Sequence, residues 1–174
     1  MSEKEKIFDH QHHQGRESLA GENRFGDLGQ LILLFVFLGI WVLDSFFLKF
    51  SIVQMGSRWL YLRIPLGIGI LILSLWLARS GLSIVFGEVR EEPHVIRKGV
   101  FGIVRHPIYL GAILLYLGLL PFSISLAAAA VWVIIIGFYI FLCRFEEKLL
   151  TQKFGDEYLA YLKEVPMLLP RLIK

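Results

Sequence analysis

Residues 105–147 read "RHPIYLGAILLYLGLLPFSISLAAAAVWVIIIGFYIFLCRFEE", and the architecture turns on how this stretch crosses a membrane. Between His106 and Arg144 it contains no Asp, Glu, Lys or Arg. A membrane-spanning helix takes about 20 mostly apolar residues, so the run holds a short apolar segment, Pro107–Leu120, and a longer one, Leu126–Phe145. Pro121 and the serines of "LLPFSIS" break helical continuity and predict a tight turn between two antiparallel helices. In such a hairpin the start of the first helix lies beside the end of the second, so the charged ends meet on one face of the membrane.

Those ends carry the candidate chemistry. Pro107 suits the first turn of a helix, with His106 at the cap. A helix N-terminus presents free amides and partial positive charge, and Arg105 adds a full charge, which makes an anion site. The same residues read equally well as an anchor on lipid phosphate with a capping histidine. At the other end Arg144 and Glu147 are three apart, close enough to pair on one helical face. Glu146 and Glu147 diverge by about 100°, so at most one faces a shared pocket squarely. The plain alternative is a solvated helix end.

Two further apolar segments, Leu28–Leu48 and Trp59–Ala78, precede the hairpin. The fold class is therefore an all-α integral membrane bundle of about four transmembrane helices. The bulk composition agrees, with 56% hydrophobic and 19% charged residues in 174, well off the profile of soluble domains. Of 18 Lys and Arg, only Lys49, Arg58 and Arg63 fall near the far side of the segments. That asymmetry predicts that both termini, the 79–106 loop and the tail after Arg144 face the cytoplasm. The net charge of +3 reads as topology rather than nucleic-acid binding. No cleaved signal peptide is indicated, because the first 27 residues are polar and lack an apolar core. Cys143 is the single cysteine, which excludes an intrachain disulfide and a cysteine-rich zinc site.

The chain divides into a polar N-terminal tail, 1–27, and one membrane domain, 28–174. The 79–106 loop, with Gly87, Gly99, Gly102 and Pro93, reads as ordered but irregular. The tail reads as two short amphipathic helices. "RFEEKLLTQKF" stops at Gly155, and Asp156 caps "EYLAYLKE", which places Tyr158, Tyr161 and Leu162 on one face. His10, His12 and His13 read as a polar tail rather than a metal site. Asp44 reads as an interfacial, solvated acid. Trp41, Trp59, Trp76 and Trp132 read as packing or interface anchors, and Ala127–Ala130 as a close helix contact.

A pocket combining an anion-binding helix start, carboxylates and aromatic walls suits a zwitterionic, nucleotide-like ligand. S-adenosylmethionine has such a charge layout, with a sulfonium favoured by carboxylates and aromatic faces, though the physics leaves other ligands open. "GVFGIVRHPIYLG" followed by "EEKLLTQKFGDEYLAYLKEVPMLLP" resembles the integral-membrane methyltransferases of the isoprenylcysteine carboxyl methyltransferase and phospholipid N-methyltransferase superfamily. The resemblance spans about 86–170, the cofactor half.

The resemblance implies S-adenosylmethionine as cofactor, contacted by His106, Pro107 and Tyr109 of the His-Pro-x-Tyr motif; by the charge argument, its carboxylate would sit on Arg105 or the helix terminus. The resemblance also implies that His94, Val95 and Ile96 hold the adenosine, that Phe101 stands where a tyrosine is usual, and that Glu147 binds the cofactor. Arg144 lies near the family's substrate-side arginine, and Glu146 is a candidate for deprotonating or orienting the acceptor. The usual Gly-Pro-Tyr-Arg is here Gly99-Val100-Phe101-Gly102. Methyl transfer by in-line displacement needs no metal; alignment and water exclusion supply most of the help. The acceptor is expected to be a lipophilic small molecule or lipid arriving sideways from the bilayer. Prenylated thiols, phospholipid amines, small thiols and quinone-like lipids are all open. The rival readings are a nicotinamide-dependent membrane reductase of the sterol-reductase type and a noncatalytic membrane scaffold.

Overall fold

The computed structural model describes residues 24–87 and 94–170. The stretch 1–23 with His10, His12 and His13, residues 88–93 of the loop, and residues 171–174 lie outside the described residues. The fold is all-α. Helix α1 (Arg24–Val42) runs on into a π-helical turn, Leu43–Leu48; α2 (Leu60–Phe86) is entered through a 3-10 turn. A second 3-10 turn, Gly99–Gly102, leads to α3 (Pro107–Leu119), and a third, Leu120–Phe122, follows it. The chain closes with α4 (Leu126–Phe154) and α5 (Asp156–Glu164).

Three stretches, Gly26–Leu48, Ser57–Phe86 and Leu126–Phe154, are long and apolar enough to cross a membrane, and Pro107–Phe122 is a shorter apolar helix. Of the four expected spans, three are long enough to cross and the fourth is a shorter apolar helix. The 13 residues of α3 rise only ~20 Å, against ~30 Å of hydrocarbon. Its end is held by Arg63, whose Nε donates to Pro121 O at 2.9 Å and whose Nη2 donates to Phe122 O at 3.2 Å. A far-side arginine thereby satisfies carbonyls left over where the helix stops. Phe35, Leu62, Leu75 and Ile134 are more than half exposed, an apolar surface that suits acyl chains and not water.

The expected break after Phe145 does not occur. Nothing in "EEKLLTQKF" interrupts a helix, so α4 continues for 29 residues and is one rod rather than a span plus a separate amphipathic helix. It stops at Gly155, whose φ of +55° lies in the left-handed region that costs glycine least. Gly155, not Asp156, also occupies the cap of α5.

The most extensive helix pairing joins α2 to α3. Gly67, Ser74 and Gly81 are buried at seven-residue intervals along α2, opposite Gly111 and Gly118 of α3. A Cβ on Gly118 would lie 2.8 Å from Leu71 Cγ, and Ser74 Oγ donates to Gly111 O at 2.7 Å. Small residues here let the two backbones approach, as membrane helix pairs require. Of the alanine run, Ala128 is fully buried and Ala130 is exposed. On the other flank α1 packs against the hairpin through Phe37, Ile113, Tyr116, Ile135 and Tyr139. Trp132 Nε1 donates to Ile113 O at 3.1 Å, tying α4 to α3.

Asp44 is not a solvated interfacial acid: it is 4% exposed. Its Oδ1 accepts from Ser51 N at 2.9 Å, and its Oδ2 accepts from Ser51 Oγ and Ser125 Oγ, both at 2.5 Å. Ser125 Oγ in turn accepts from Ala128 N at 3.1 Å, capping α4. One carboxylate therefore fastens the end of α1 to the start of α4. Asp44→Ala strands three donors and is expected to cost about 3 kcal/mol, a fall of about 10 °C in the midpoint of thermal unfolding in detergent. An unchanged midpoint would show the knot to be idle.

Candidate functional site

Because α3 and α4 run antiparallel, the residues before Pro107 come to lie against Glu146 and Glu147. Arg105 Nε donates to Glu147 Oε1 at 2.7 Å. His106 Nε2 is 3.2 Å from the same oxygen, and its Nδ1 is 3.6 Å from Glu146 Oε2. Tyr109 OH donates to Glu146 Oε1, and its ring stacks with the imidazole, centroids 5.7 Å apart and planes within 8°. The imidazole is bracketed, one nitrogen toward each carboxylate. Both acids therefore engage the cluster, where adjacency on one helix predicted one. His106, the cap of α3, and Tyr109 in its first turn lie against α4 about two turns before its end and meet both diverging side chains.

Exposure grades the two acids. The side chains of His106 and Glu147 are 6% and 13% exposed, that of Glu146 27%. Glu147 is the inner group and Glu146 the one toward the opening. Arg144 does not supply the partner expected for Glu147; it lies exposed, and Arg105 takes that place.

The tail closes over this cluster. Arg105 Nη1 donates to Leu162 O at 3.0 Å and to Val165 O. The backbone amides of Arg105 and His106 donate to Pro166 O at 2.9 Å and Met167 O at 3.2 Å. Tyr161 OH donates to Phe101 O at 2.7 Å, which holds the half-buried Phe101 turn against α5. Burial pushes the Tyr161 phenol up to about 12 and raises that of Tyr158 as well, so both remain protonated donors at neutral pH.

The loop residues join the same helix. Val95 is buried with Tyr158, Tyr161 and Val165, and its amide donates to Glu157 Oε1 at 3.2 Å. Arg97 Nη1 donates to Glu164 Oε2 at 2.9 Å and Nη2 to Glu157 O at 2.7 Å. Exposed His94 and half-buried Ile96 line an open hollow with Arg97 and Lys98. Pro107 is fully buried at the start of α3. The structure thus brings Arg105, His106, Tyr109, Glu146 and Glu147 into direct contact, and ties 95–97 and Phe101 to the same short helix that Arg105 grips. The carbonyls of Leu162 and Val165 were not foreseen, since a backbone acceptor leaves no mark in a sequence.

A groove between α1 and the hairpin opens beside the cluster, lined among others by Asp27, Gln30, Leu34, Ala112, Leu115 and Tyr139. Asp27 lies within electrostatic reach of Glu146. The groove is polar near that end and apolar along Leu34 and Leu115.

Comparison with known proteins identifies the family. A model of a family described as phospholipid methyltransferase matches residues 62–157, more than half of the chain, from α2 to the start of α5. Protein-S-isoprenylcysteine O-methyltransferase B of Arabidopsis thaliana is 30% identical over 122 residues, covering 55% of this chain and 60% of that protein. The chain thus spans less than two thirds of that relative's length. No solved structure matches significantly.

Proposed function

Because the chain belongs to the phospholipid methyltransferase family, we propose that it transfers a methyl group from S-adenosylmethionine to a lipophilic acceptor at the membrane interface. The observation that carries this reading is the His106 imidazole held between Glu146 and Glu147 with Tyr109 stacked on it. The donor set fits the cofactor: carboxylates for an ammonium group or ribose hydroxyls, and the Tyr109 aromatic face for a sulfonium. S-adenosylmethionine, when bound, supplies an electrophilic methyl group and needs no metal to do so. His106, Pro107, Tyr109 and Glu147 would hold it at the hairpin, with His94, Val95, Ile96 and Phe101 along the adenosine. Glu146, the more open acid, and Arg144 would face the acceptor. Closure by the tail excludes water from these groups, and the topology rule puts them on the cytoplasmic side.

The groove along Leu34 and Leu115 supports an acceptor whose hydrocarbon lies in the bilayer while its polar end reaches Glu146. S-adenosylmethionine at 100 times its dissociation constant is expected to stabilise the purified protein by about 2.7 kcal/mol, with NADPH giving no shift; the reverse pattern would replace the methyltransferase by the reductase. Neither ligand binding would favour the scaffold. Incubating lipid extracts with labelled methyl donor and resolving products by mass identifies the acceptor class. Ala112→Trp, which fills the groove, is expected to raise the acceptor KM at least tenfold with cofactor binding unchanged; an unaltered KM would remove the groove from the acceptor's path.

A further inference from the structure

We propose that Arg105 is a positioning residue that fastens the 162–167 tail across the start of α3 and thereby fixes the Glu147 carboxylate against His106. The proposal rests on the reading of Glu147 as cofactor-binding, and it gives Arg105 a different task from the cofactor contact that its charge predicts. The geometry is specific. Nε is spent on Glu147, and Nη1 on the carbonyls of Leu162 and Val165. The two backbone amides of the same dipeptide bond Pro166 and Met167. In a side chain only 10% exposed, Nε and Nη1 are engaged, and Nη2 alone is left to offer a cofactor's anion.

A planar guanidinium spans a carboxylate on one edge and carbonyls on another, and an ammonium cannot keep both directions at once. The tail therefore fixes the guanidinium, and the guanidinium in turn orients Glu147. Burial makes the coupling firm, since a charge pair this deep is tolerated only when its remaining hydrogen-bonding capacity is satisfied. Arg97 grips the other flank of α5 but is more open, at 36% exposure, and its bonds go to Glu164 Oε2 and the Glu157 carbonyl.

The test uses full-length protein in nanodiscs. Arg105→Lys is expected to lower hydrogen-exchange protection of residues 158–168 at least tenfold and to weaken S-adenosylmethionine binding at least tenfold. In a Glu147→Gln background, the same Arg105→Lys change is expected to add less than threefold to the binding loss, because the arginine acts through the acid. Glu147→Gln alone, which leaves the carbonyl bonds of Arg105 in place, is expected to keep the tail protected. Decarboxylated S-adenosylmethionine is expected to lose as much affinity as the parent on Arg105→Lys. An affinity loss confined to the carboxylate-bearing ligand, or additive losses in the double variant, would make Arg105 a direct contact and overturn the proposal. Unchanged tail protection in Arg105→Lys, or equal loosening in Glu147→Gln, would overturn it as well. Should wild-type protein fail to bind S-adenosylmethionine, the exchange measurements still judge the latch while the functional reading falls.

Discussion

Glu147→Ala is expected to abolish measurable binding of S-adenosylmethionine and to destabilise the protein by about 3 kcal/mol, the low end for breaking a buried ion pair. The low end applies because Arg105 keeps two carbonyl acceptors on the tail when its carboxylate is gone. Glu147→Gln separates shape from charge: it keeps an oxygen toward Arg105 and His106 yet removes the negative charge that a cationic ligand needs. It is expected to weaken binding at least tenfold. Glu146→Gln is expected to cost less, because that acid is more open and stands 3.6 Å from the imidazole. Calorimetric titration of the two variants side by side decides the point. Equal losses, or a larger one at Glu146, would exchange the assigned roles of inner and outer acid.

The second large effect lies away from the charges. Gly111→Leu is expected to cost about 3 kcal/mol, the upper end of ordinary overpacking, or roughly 10 °C in unfolding midpoint. A Cβ there would stand 3.0 Å from Ser74 O and 3.2 Å from Ala78 N. Both belong to the backbone of α2, which cannot swing aside as a side chain does. The helices must separate, and the bond from Ser74 Oγ to Gly111 O goes with the contact. Since α3 carries His106 and Tyr109 at its start, cofactor affinity is expected to fall together with stability. Gly137→Leu is the control, because a Cβ at Gly137 meets nothing within 4 Å. A Gly111→Leu protein as stable as the Gly137→Leu control would mean that α2 and α3 need no close approach.

These contrasts show what a sequence discloses. The hairpin was legible because an uncharged run closed by Arg105–His106 and Glu146–Glu147 has few other ways to sit in a bilayer. The meeting of cation and acids followed from it. The partner of Glu147 did not, since Arg144 and Arg105 both fit the spacing rules and only tertiary packing chooses between them. The continuation of α4 past the membrane was obscured because the change from apolar to charged residues at Arg144 mimics a boundary that the backbone ignores. Gly67, Ser74 and Gly81 stood in view, yet their spacing gains meaning only once α3 is known to lie opposite. Asp44 was misread for a similar reason: its three donors come from Ser51 and Ser125, and Ser125 is 81 positions away.

The reach from Arg105 to Leu162 and Val165 bears on how the protein is made. Once α4 has emerged, His106 can already meet its acids at Glu146 and Glu147. The two carbonyls that anchor the guanidinium emerge only afterwards. Translation must therefore pass position 165 before the cluster is complete, and a nascent chain halted earlier would sit in the bilayer with its arginine only partly satisfied.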